Sequence, residues 1–138
     1  MKFLTLEDGR PGALLDTTVV DIGAAARELS TDVGVDTLEA LVCAGDAVAT
    51  AVWTLAQQAL AAGVACRPLA EVRPMAPIPV PRRNIFCLGK NYLEHAQEIA
   101  AKMKQSSEAP REPIFFSNAT TAVIAPGDPI PAYQAYTR

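Results

Sequence analysis

The sequence predicts an α+β fold in two parts. A small N-terminal α+β domain spans residues 1–76, and the beginning of a β-rich domain, incomplete, spans residues 77–138. Three observations lead there. The opening residues carry strand-and-turn chemistry followed by apolar patterns of helical period. A proline-rich stretch, Ala70–Arg83, then separates them from the remainder of the chain. After it comes Asn84–Glu98, NIFCLGKNYLEHAQE, which reads as an apolar strand, a glycine and a helix carrying the only histidine of the chain.

The elements come in order. Lys2–Leu6 alternates loosely as a first strand. Glu7-Asp8-Gly9-Arg10-Pro11-Gly12 is turn chemistry, so Ala13–Leu15 returns as the second strand of a hairpin. Asp16-Thr17-Thr18 turns the chain into a strand at Val19–Ile22, and Ala24–Leu29 forms a short helix. Asp36, with Glu39 three residues on, resembles a capping box at the start of a second helix. Leu38, Leu41 and Val42 give that helix its apolar face, and Gly45 stops it. Asp46 caps a third helix, on which Val48, Val52, Leu55, Ala59 and Ala62 share a face and which Gly63 ends; Trp53 packs in the core. Pro74, Pro77, Pro79 and Pro81 forbid a helix and favour an extended connector, so the domain boundary falls there.

Beyond the connector, Ile85–Leu88 is a continuous apolar run, the pattern of a strand buried on both faces. Gly89 permits a sharp exit from it, and Asn91 caps the next helix. Lys102–Glu112 is a polar, mobile loop, Pro113–Phe116 the next strand and Ala122–Ala125 another short one. Pro126-Gly127-Asp128-Pro129 is a turn, which makes Asp128 a turn residue rather than a metal ligand.

Composition narrows the function classes. The 138 residues are 50% apolar and 20% charged, as expected of a soluble globular protein. A net charge of −3, with no basic stripe interleaved with aromatics, argues against a nucleic-acid partner. Lys2 is followed by only a short apolar stretch before Glu7 and Asp8, unlike a signal peptide. Ala47–Ala62 is uncharged but shorter than the roughly 20 residues a membrane span needs. The expectation is a cytoplasmic protein with no membrane partner. Cys43, Cys66 and Cys87 lie in apolar runs with no C-x-x-C or Cys/His cluster, and so read as buried, reduced thiols rather than a disulfide or zinc site.

The chemistry-bearing pair is His95 and Glu98. Three residues apart on a helix, they share a face. A carboxylate beside an imidazole fixes its tautomer and raises its pKa, which suits a general base.

The segment Gly89–Glu98, G-K-N-Y-x-x-H-A-x-E, resembles the start of the catalytic domain of the fumarylacetoacetate hydrolase family. Pro113–Ile130 resembles that family's next block, in the same order and at a similar spacing. The resemblance implies a β-rich roll of mixed sheets preceded by a variable small domain. It implies a metal-dependent hydrolase that cleaves C–C bonds of diketo or keto-acid substrates. His95 would be the general base that activates water and Glu98 its orienter, on a helix that orders over the site as a lid. Lys90 and Tyr92 would line the site, Lys90 meeting a substrate carboxylate. Asn118 stands where the family's F-x-K block carries a substrate-holding lysine. The family's Mg2+ or Mn2+ is held by an E-x-E pair and a later Asp, which its pattern places beyond Arg138, and Glu108 and Glu112 lack matching spacing. The metal is therefore not expected on this chain alone, and the chain reads as the front part of such an enzyme, self-associating as a homodimer. Related members decarboxylate or isomerise dicarboxylic keto acids. A reading of a different class is a non-catalytic fragment serving as a binding or dimerisation module.

Overall fold

The computed structural model describes residues 1–89, 94, 97 and 112–130. They fall into two compact units, one formed by residues 1–79 with 123–130, the other by the described residues between 80 and 122.

The first unit is an antiparallel sheet with helices on one face. β1 (Phe3–Thr5), β2 (Pro11–Leu15), β3 (Thr18–Asp21) and β4 (Cys66–Pro68) lie in sequence order across it. Successive residues point to opposite faces, so Ala13 and Val20 face the helices while Val19 joins Leu6 and Val72 in a smaller cluster on the other side. β4 has no counterpart among the expected strands. It has three residues, one of them arginine and one proline, and it pairs Cys66 with Val20 only because the third helix returns the chain beside β3.

α1 (Ile22–Glu28) starts where β3 ends. Ile22, expected to be the end of the strand, is its first residue, because Asp21 accepts from the Ala24 N–H at 2.9 Å and turns the chain there. Arg10 grips the same carboxylate, with Nη2 at 2.8 Å from Asp21 Oδ2. α2 (Leu38–Ala44) is capped by Thr37, not by Asp36: the Ala40 N–H donates to Thr37 Oγ1 at 3.1 Å. With that start, Leu38 and Leu41 turn into the core. Val42, 100° further round the helix than Leu41, is exposed rather than part of the apolar face. α3 (Asp46–Ala62) has no side-chain cap. Gly45, at φ +84°, ends α2 and begins α3 at once, which places Asp46 inside the first turn. Val52, Leu55, Ala56 and Ala59 form the buried face of α3. Val48 and Trp53 are half-buried and Ala62 is exposed. The Trp53 ring packs edge-on to Phe3 at 5.7 Å. Gly63 closes the helix in the left-handed conformation.

The proline-rich stretch is less free than a connector. A 3-10 turn at Leu69–Glu71 leads into Val72 and Ala76, both buried, and Met75 bridges to Thr5. The thiol expectation is corrected as well: Cys43 is exposed and Cys66 and Cys87 are half-buried. Burial, and then Glu28, push the Cys66 thiol pKa up.

In the second unit β5 (Ile85–Gly89) pairs antiparallel with β6 (Ile114–Asn118). The expectation of a strand buried on both faces does not hold among the described residues. Phe86 is 76% exposed and Phe115 66%, because a two-stranded sheet covers neither of its own faces. No strand forms at Ala122–Ala125. The Ala122 N–H donates to Ala119 O instead, closing a 3-10 turn at Thr120–Ala122. The expected turn comes next: Gly127 has φ +81°, and the Asp128 N–H donates to Ala125 O. Among the described residues no helix is long and apolar enough to cross a membrane.

Candidate functional site

β5 delivers the chain to Gly89, the first residue of the G-K-N-Y-x-x-H-A-x-E segment. Gly89 lies opposite Ile114, and a Cβ there would sit 3.4 Å from the Ile114 side chain. Lys90, Tyr92, His95 and Glu98 lie outside the described residues, as does the loop at 102–111. Glu94 and Gln97 are helical and exposed.

Asn118 is the one predicted site residue that is described. It closes β6 opposite Ile85, and its Nδ2 donates to Cys87 Sγ at 3.5 Å. The ladder runs from this pair to the Gly89–Ile114 pair four residues along, about 13 Å at the rise of a strand. Asn118 thus stands at the opposite end of the sheet from the start of the His95 segment.

The first unit holds a second polar grouping, which no local sequence pattern signals. Glu7, on the β1–β2 turn, accepts from the Arg73 backbone N–H at 2.8 Å and from Arg67 at 3.2 Å. Asp128 accepts from the Ala125 N–H at 3.0 Å and from Arg73 Nη2 at 2.8 Å. The Arg73 N–H, with help from Arg67, lowers the Glu7 pKa. The Ala125 N–H, with help from Arg73, lowers that of Asp128. The Arg10 N–H and guanidinium do the same for Asp8.

These carboxylates are committed to arginines and backbone donors, which leaves few lone pairs for a hard cation. Among the described residues no three His, Cys, Asp or Glu side chains come together as ligands. The described carboxylates therefore offer no ligand set for the Mg2+ or Mn2+ that the family resemblance implies.

The architecture is that of an α+β unit and an antiparallel strand pair whose first strand ends at Gly89. Residues 84–137 match the profile described as Fumarylacetoacetate (FAA) hydrolase C-terminal. Oxaloacetate tautomerase YisK of Bacillus subtilis is 36% identical over 69 residues, half of this chain and 22% of that protein. The mitochondrial oxaloacetate tautomerase FAHD2B of Homo sapiens is 34% identical over 77 residues, 56% of this chain and 22% of its own length. An HpcE-like protein from Mycobacterium smegmatis shares the fold, with a TM-score of 0.55 at 24% identity, over 94% of this chain and 40% of that one. Residues 84–137 thus carry the signature of the fumarylacetoacetate hydrolase family. The chain spans about a fifth of the length of the curated relatives it matches.

Proposed function

We propose that this chain contributes to an enzyme that interconverts the keto and enol forms of an oxaloacetate-like keto acid, with His95 and Glu98 as its proton-transfer pair. The observation that carries this reading is the match of residues 84–137, which contain the pair, to a family whose curated relatives include oxaloacetate tautomerases. In such a reaction a proton leaves the carbon beside the carbonyl and a proton arrives on the carbonyl oxygen. No carbon–carbon bond breaks, so one group that alternates between base and acid is enough. An imidazole, titrating ordinarily near 6.5, suits that alternation. Glu98 holds it in one tautomer. Lys90 meets a substrate carboxylate as a point charge, Tyr92 lines the site, and Asn118 offers hydrogen bonds without charge. C–C hydrolysis would use the same pair to activate water, and this is where the two chemistries divide.

The test monitors enol-oxaloacetate by its ultraviolet absorbance, with the products identified. His95→Ala should lower ketonisation by about 10²- to 10⁴-fold, the range general acid–base groups contribute. A rate indifferent to both His95→Ala and Glu98→Gln refutes the assignment. Cleavage products in place of the keto form move the reading to hydrolysis or decarboxylation.

One observation favours a second reading, self-association of two copies through the β5–β6 sheet. Phe86, Phe115 and Phe116 are at least half exposed on a two-stranded sheet, which is marginal alone and has edges able to pair. Sedimentation that gives a monomer at micromolar concentration excludes it.

A further inference from the structure

The chain leaves the first unit at Pro79 and rejoins it at Val123. On the outgoing side the Met75 N–H donates to Thr5 O at 2.9 Å, and the Thr5 hydroxyl donates to Pro77 O at 2.6 Å. Val72 and Ala76 are buried beside these bonds, so apolar packing anchors this side too.

The returning side is different. No residue from Val123 to Ile130 is buried; Ile124 is 45% exposed and Ile130 84%. Hydrophobic burial therefore contributes little to holding it. Among the described residues, the bonds that fasten it are polar. Asp128 closes its own turn on the Ala125 N–H and reaches Arg73 Nη2 at 2.8 Å. Arg73 is fixed in turn by its backbone N–H on Glu7, which also accepts from Arg67. Glu7, Arg73 and Asp128, with Pro74, Met75 and Ala125, line an open cleft of about 270 Å³.

We propose that Arg73 and Asp128 form a clasp that fastens Val123–Ile130 to the first unit, and that the clasp opens without unfolding the domain. The Arg73 side chain is 78% exposed and that of Asp128 28%, so water and ions reach the pair and salt screens it. The main core, on the helix side of the sheet, shares none of these residues. Opening is then a local event, of the kind amide exchange resolves from global unfolding.

The experiment measures hydrogen exchange of peptides covering 123–130 in the full chain, for the unaltered protein, Arg73→Gln, Asp128→Asn and the double variant, at low and high salt. Asp128→Asn keeps an acceptor for the Ala125 N–H and removes the charge, so it isolates the clasp from the turn. Each single variant is expected to speed exchange roughly threefold to fivefold at low salt, the scale of a well-formed surface ion pair. The double variant should go no further than either single one. High salt should speed exchange in the unaltered protein and leave the variants where they are, and the melting midpoint should hold within about 2 °C. Exchange unchanged in both single variants, or single effects that multiply in the double, overturns the proposal. So does a collapse of the midpoint in Asp128→Asn.

Discussion

Leu41 and Val42 are adjacent residues of similar hydrophobicity on one short helix, and the structure assigns them opposite roles. Leu41 is 2% exposed against the core, Val42 65% exposed. Leu41→Ala removes three carbon groups, about 2.4 kcal/mol of transfer free energy at roughly 0.8 kcal/mol each. If about 40 Å³ of the vacated space stays unfilled, the cavity adds about 1 kcal/mol at roughly 24 cal/mol per Å³. The loss is then about 3.4 kcal/mol. At about 4–8 °C per kcal/mol for a domain of this size, the midpoint falls by roughly 14–27 °C. Val42→Ala removes little buried surface and gains helix propensity, so it should change stability by less than about 0.5 kcal/mol in either direction. The assay is a urea or thermal melt of both variants followed by helical circular dichroism. Equal losses would mean that α2 presents a different face, and the Thr37 start of the helix would fall with it.

The same geometry yields two further expected outcomes. Thr37→Ala should cost about 1 kcal/mol, through loss of the acceptor for the Ala40 N–H, while Asp36→Ala should cost much less; a urea melt in which Asp36 matters more would restore Asp36 as the cap. Acid should destabilise the domain in a defined window. Glu7, Asp8 and Asp128 have pKa values lowered in the fold, so their stabilisation is complete above the ordinary carboxylate range, about 4 to 4.5. It is lost as the pH falls through the lower folded values. The midpoint should therefore be level between about pH 7 and 5 and drop below about pH 4, and a fall already between pH 7 and 5 would point to other groups.

What was legible in the sequence was local. The hairpin near Gly9, the core of the α3 face at Val52, Leu55 and Ala59, and the stop at Gly63 each depend on residues within a few positions of one another, and these formed as expected, while Pro11 and Gly12 joined β2 instead of the turn and Ala62 stayed exposed. The misses share a different cause. Thr37 and Asp36 are both acceptable caps, and only the demand that Leu38 and Leu41 both reach the core selects between them. β4 exists because α3 ends beside β3, which no property of Cys-Arg-Pro announces. The apolar run at Ile85–Leu88 signals a strand that suits cover on two faces, but a run of residues carries no information about which chain supplies the cover. The site divides in the same way. The His95–Glu98 pair is readable because only three positions separate the two residues in the sequence, and the family match covers the same stretch. Arg73 and Asp128 are 55 positions apart and Glu7 and Arg73 are 66 apart, so no period or spacing could have joined them. That pairing is a product of where the chain leaves and rejoins the first unit. Variants at Arg73 can therefore test the clasp while leaving the proposed proton-transfer pair intact.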